Sequence, residues 1–121
     1  MFIMKYLFVC TLLIFSLNSP LMAQSFWTEW LDRDDPSVTG DWEHLSSNEF
    51  AYVCLGMDII NIEARSISDQ LPAQNTGQVF LHYDITNGFV CLNDDQPGGE
   101  QCLDYEVRFK CTLLCPYGCW L

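Results

Sequence analysis

The sequence predicts an all-β or β-rich α+β fold: a compact, disulfide-stabilised antiparallel β domain with a short helical turn. Three observations predict it. Two β-prone runs flank an Asn-Gly pair between Val79 and Asn93. Asp104-Tyr-Glu-Val-Arg-Phe-Lys-Cys111 alternates apolar and charged residues strictly. Cysteines at 54, 91, 102, 111, 115 and 119 form an even set in a short chain.

The elements follow in chain order. Lys5 is the only charge before Glu29, and Tyr6 to Leu17 is apolar apart from Thr11 and Ser16. Asn18, Ser19 and Pro20 break that run, and Ala23 supplies a small residue for cleavage. Residues 1–23 therefore read as a secretory signal peptide. A transmembrane anchor is the alternative, but the run is shorter than the roughly 20 apolar residues a bilayer needs. The expected mature chain, residues 24–121, is a single domain, secreted and extracellular. Its core is marginal without help, and its six cysteines read as a disulfide framework.

Next comes Trp27-Thr-Glu-Trp30-Leu-Asp-Arg-Asp-Asp-Pro-Ser-Val-Thr-Gly40-Asp-Trp42-Glu43. No single period fits it. It reads as one Trp-bearing element, an acidic Pro/Gly turn and a second Trp-bearing element, with Trp27, Trp30 and Trp42 as core anchors. Asp41 to Ser47 is expected to form the helical turn, capped by Asp41. Ala51–Leu55 and Ile59–Ile67 are strand candidates, and Leu71–Gln78 and Asn93–Gln101 are loops. Asn87-Gly88 predicts a two-residue hairpin turn that sets Thr86 opposite Phe89, Ile85 opposite Val90 and Asp84 opposite Cys91. One face of its first strand then carries Val79, Leu81, Tyr83 and Ile85. In the last strand Tyr105, Val107, Phe109 and Cys111 point to the core, and Glu106, Arg108 and Lys110 point away.

All sixteen carboxylates follow the signal, against Arg33, Arg65, Arg108 and Lys110, a formal balance of −12. Such a surface excludes nucleic acid and anionic membranes as partners, and membrane insertion is not expected. It suits divalent cations, basic partners or plain solubility.

Calcium takes six to eight oxygen ligands. Two oxygen-rich clusters exist: Asp32, Asp34, Asp35 and Asp41 around the first turn, and Asn93, Asp94 and Asp95 after the hairpin. A two-segment calcium site drawn from Asp32, Asp34, Asp41, Asn93, Asp94 and Asp95 competes with simple solvated carboxylates. EF-hand spacing is missing. Cys111-x-x-x-Cys115-Pro-Tyr-Gly-Cys119 is neither a redox Cys-x-x-Cys motif nor a zinc site suited to the secretory route. No nucleophile elbow, zinc-protease motif or phosphate loop occurs, so the chain is read as non-enzymatic. Trp27-x-x-Trp30 matches the acceptor pattern for C-mannosylation of Trp27; the competing reading is a Trp pair packing a small core.

Trp27-Thr-Glu-Trp30-Leu-Asp-Arg-Asp-Asp-Pro36, Gly40-Asp-Trp-Glu43, Ile62-Glu-Ala-Arg65, Gly88-Phe-Val-Cys91, Asn93-Asp-Asp-Gln96 and Cys102-x-Asp104-Tyr-Glu-Val-Arg-Phe109-x-Cys111 follow in that order. This series resembles the WxxW domain, also called CysD, of gel-forming mucins and of cartilage intermediate layer protein. The resemblance implies a disulfide-bonded, β-rich extracellular module that binds calcium and self-associates, without enzymatic activity. It implies a homodimer, or matrix and mucin proteins, as partners. The pattern carries cysteines where this chain has Phe26, Ala64 and Tyr83. Losing the last two together implies that they form one bridge in mucins, and the pairs left here are Cys91–Cys102, Cys54–Cys111 and Cys115–Cys119. Cys119-Trp120 repeats the junction expected at Phe26, so the chain reads as a lone unit of a repeated domain. The function this implies is a structural or interaction module of matrix or mucus. The alternative is a soluble secreted binding protein, lectin-like or a defence factor, that reuses the fold.

Overall fold

The computed structural model describes residues 24–47, 50 and 52–113. The signal-peptide reading of residues 1–23 and the Cys115–Cys119 pair lie outside them. The strands are β1 (Gln24–Trp27), β2 (Gly40–His44), β3 (Asp58–Ser66), β4 (His82–Asp84), β5 (Gly88–Leu92) and β6 (Tyr105–Leu113). They form two three-stranded antiparallel sheets, ordered β1-β6-β3 and β2-β5-β4. Among the described residues the helical turns are three short 3-10 turns, Ala73–Asn75, Asn93–Asp95 and Pro97–Gly99.

The alternation in β6 organises the core. Tyr105, Val107, Phe109 and Cys111 are fully buried, while Glu106, Arg108 and Lys110 are half-buried on the other face. Ile62, Ala64 and Ser66 of β3 pair directly with Phe109, Val107 and Tyr105 and are buried with them. An extra residue bulges β3 between Ile59 and Asn61 and leaves Ile60 exposed. Phe89 of β5 packs on Tyr105 and Phe80 with ring centroids 4.8 and 4.7 Å apart, and Phe50 meets Phe109 edge-on at 5.9 Å.

Two disulfides close the fold, Cys54–Cys111 and Cys91–Cys102. The first spans 57 positions and the second 11. In the chain-entropy account these correspond to about 4 and about 3 kcal/mol. Ala64 and Tyr83, where the resembled pattern carries cysteines, still meet: the Ala64 N–H donates to the Tyr83 hydroxyl at 3.0 Å.

Several expectations are corrected. Asp41–Ser47 does not open a helical turn: Gly40–His44 is β2, paired along its length with β5. Ala51 lies outside the described residues, and residues 52–56 form turns, with Val53 N–H to Phe50 O at 3.1 Å and Leu55 N–H to Tyr52 O at 2.8 Å. The hairpin register is Tyr83 opposite Phe89 and Asp84 opposite Gly88, which leaves Ile85, Thr86 and Asn87 in the turn. Asp84 drives this, because its Oδ1 accepts the Thr86 and Asn87 N–H groups at 2.8 and 2.7 Å. The odd shift turns Tyr83 inward against Phe89. Val79, Leu81 and Ile85 stay exposed, and Phe80 reaches the core instead. Here the Gln96 amide replaces a strand partner, accepting from Val79 N–H at 2.9 Å and donating to Val79 O at 2.8 Å.

Trp27, Trp30 and Trp42 are half-buried and lie outside the core cluster. Trp27 and Trp30 instead pack against cations of the first sheet. The Arg65 guanidinium lies 3.9 Å from the Trp30 ring centroid, and Arg108 lies 4.6 Å from Trp30 and 4.7 Å from Trp27. Glu63 and Glu106 hold Arg108 and Arg65 in place, each at 2.6 Å. A large ring with a polar edge favours this stacked, half-wet position over a dry core.

Candidate metal centre

The residues after Trp30 run back along β6 and then across β2. Leu31 exchanges both backbone hydrogen bonds with Val107, at 2.7 and 2.8 Å. That contact brings Arg33 and Asp34 to β2, where Trp42 N–H donates to Asp34 Oδ1 at 3.1 Å and Arg33 Nε donates to Trp42 O at 2.5 Å. The strand alternation of β2 turns Asp41 and Glu43 inward together. Both are fully buried.

Carboxylate oxygens of Asp34, Asp41 and Glu43 lie within 4.8 Å of one another. Glu43 accepts the Arg33 N–H on both oxygens at 3.0 Å. Asp41 Oδ2 accepts the Tyr105 N–H at 3.0 Å, linking the two sheets. Asp41 Oδ1 is buried with no hydrogen-bond partner, and so is Asp104 Oδ1. Burial, together with the Glu43 charge, pushes the Asp41 carboxyl up to about 8. Burial likewise pushes Glu43 up to about 8, with Asp32 and Asp34 adding to it. Desolvation and neighbouring carboxylates also raise Asp32 and Asp104. A buried carboxylate without a cation is costly. A buried carboxylate with one unpartnered oxygen, clustered with two more carboxylates, is the donor chemistry of a hard divalent cation. The cluster could therefore hold a metal ion, with Asp34, Asp41 and Glu43 as its holders.

The structure divides the predicted calcium residues. Asp34 and Asp41 come together, and Asp32 lies exposed at the margin of the cluster. The second segment does join the first loop, but through hydrogen bonds. Asn93 Nδ2 donates to Ser37 O and Val38 O at 3.1 and 3.0 Å, and its Oδ1 accepts Cys102 N–H at 2.8 Å. The Asn93 side chain is thus committed to joining loops, and Asp94 and Asp95 are exposed on their 3-10 turn. Glu43, which is not among the expected ligands, belongs to the cluster. Asp41-x-Glu43 is a same-face strand spacing, a signal hidden by reading that stretch as a helical turn.

A groove of about 320 Å³ is lined by Leu45, Phe50, Val53, Met57, Ile59 and Ile85, with Cys54, Gly56 and Thr86. Its lining offers no titratable group, since Cys54 is bridged.

Fold and cluster together define a disulfide-stapled β module with an inward acidic centre. The chain belongs to the family described as the Mucin-2 protein WxxW repeating region, which matches residues 27–111. It is 39% identical over 98 residues to human cartilage intermediate layer protein 2, 42% over 95 residues to mouse cartilage intermediate layer protein 1, and 33% over 98 residues to human mucin-2. These alignments cover 78%, 76% and 78% of the chain but 8%, 7% and 2% of the relatives. The chain therefore spans less than a tenth of their length.

Proposed function

We propose that the chain is a secreted, non-catalytic structural module of extracellular matrix or mucus, in which calcium orders the acidic centre and copies associate with one another. The observation that carries the calcium reading is the buried, unpartnered Asp41 Oδ1 beside the Asp34 and Glu43 carboxylates. Bound calcium would supply positive charge that lets Asp41 and Glu43 ionise in place. Its work is mechanical, because these residues join the acidic turn, β2 and the start of β6. The names of the relatives, cartilage intermediate layer proteins and mucins, support a matrix or mucus setting. Two disulfides in a small domain fit an oxidising compartment.

Sedimentation and thermal unfolding of the mature chain, in calcium and in chelator, test the reading. Millimolar calcium is expected to add about 1 kcal/mol of stability at such a site and to move the chain towards a dimer. A monomer of unchanged stability in both conditions would refute it.

A further inference from the structure

The chain contains two histidines in all, His44 and His82, and the fold brings them together. They sit on β2 and β4, the outer strands of the second sheet, and their ring centroids are 5.9 Å apart with planes at 73°. The strand between them places Gly88, which has no side chain, opposite both His44 and Asp84. Asp84 Oδ2 lies 4.0 Å from His82 Nδ1. Asp84 Oδ1 accepts the Thr86 and Asn87 N–H groups, while Oδ2, which also accepts from Asn87 Nδ2 at 3.2 Å, is the oxygen nearer the imidazole.

We propose that His44 and His82, supported by Asp84, form a second cation site, one that takes a divalent transition ion of the zinc or copper type. Imidazole nitrogen suits these ions, whereas calcium selects oxygen, so the two centres would bind different metals. Two imidazoles bound to one zinc ion at about 2.0–2.1 Å per bond have ring centroids about 5 Å apart. The observed separation is within an ångström of that, and rotation about the broad His χ2 torsions can close it. From 4.0 Å the Asp84 carboxylate favours the tautomer of His82 with its proton on Nδ1, and a small ring rotation would let it accept that N–H and leave Nε2 free for metal, the usual outer-shell arrangement. Ser46 plays the same part for His44: its Oγ lies 2.6 Å from Nδ1 and can accept that proton. This tautomer gives up the 3.1 Å bond from Ser46 N–H to Nδ1, so the site is formed by the metal rather than preset.

The test is calorimetric titration of the folded mature chain with zinc chloride in saturating calcium. One equivalent should bind, and His44→Gln or His82→Gln should each weaken it by at least about tenfold. Asp84→Asn should weaken it less. Proton NMR of the unsubstituted chain gives a readout independent of the variants. The ring C–H signals of both histidines should shift together over the first equivalent of zinc. The proposal is overturned if zinc does not bind, if calcium displaces it, if the histidine signals stay still, or if both Gln variants bind as the parent does. Because calcium is present throughout, failure here leaves the acidic-centre reading standing, and failure of that reading leaves this one testable.

Discussion

At residue scale, Gly40 shows how close the two sides of the second sheet come. Its φ is +145°, and a Cβ there would lie 1.9 Å from Cys91 O. Gly40→Ala must displace backbone in both strands, and its loss in urea unfolding should exceed about 3 kcal/mol. Asp41 can be separated into charge and hydrogen bond. Asp41→Asn keeps an acceptor for Tyr105 N–H but carries no buried charge. In chelator its unfolding midpoint should match or exceed that of the parent. In calcium it should lack the parent's gain of about 1 kcal/mol. A midpoint that rises equally in both chains would remove Asp41 from the cation centre. Tyr83→Phe deletes the acceptor of Ala64 N–H and should cost about 1–2 kcal/mol.

Elements were legible where local pattern and tertiary setting agree. The strict alternation of β6 survived because every second residue lies against the shared core. The hairpin existed where Asn87-Gly88 placed it, but its register did not follow from the dipeptide. The Asp84 carboxylate fixes the turn three residues before Asn87, because its two bonds to turn N–H groups outweigh the preference of the Asn-Gly dipeptide. Removing the cap with Asp84→Ala should cost about 1–2 kcal/mol, read from the denaturant midpoint. The tryptophans misled for a different reason. Their size suggested core, but the first sheet offers Arg65 and Arg108 as flat cationic partners on its outer face. Two of the three carboxylates of the acidic centre, Asp34 and Asp41, are legible in the sequence. Glu43 became visible only once residues 40–44 were seen as a strand with one face inward.

At the scale of the whole molecule, the acidic centre sets how stability responds to pH. The unfolded chain gives up the Asp41 and Glu43 protons at the ordinary carboxylate pKa of about 4, whereas the folded chain holds them to about 8. The folded state therefore binds more protons between those values. In chelator the contribution of these two groups is fullest below the lower value and falls as pH rises towards the upper one. Asp84 acts in the opposite sense, since the Asn87 N–H and the other turn donors lower its pKa; its contribution is lost on acidification. Calcium needs the ionised carboxylates, so its stabilising effect should grow from about pH 5 to about pH 8, with proton release on binding. Paired denaturation series with and without calcium check this. A calcium effect constant across that range would contradict it.

The strand order also governs how the chain can be made. β6 is the last described strand, yet it is the middle of its sheet. Until residues 105–113 emerge during synthesis, β1 and β3 lack their strand partner, and Cys54 lacks the thiol of Cys111 that it meets in the fold. The second sheet, by contrast, is complete by Leu92. Folding is thus split in time. The strands of the second sheet can pair while synthesis continues, and the Cys91–Cys102 bridge can form before Cys54–Cys111. Until then Cys54 is an open thiol in a compartment that oxidises thiols, where a premature partner would be a misfolding event. Trapping thiols during secretion should find Cys54 and Cys111 free after Cys91 has closed.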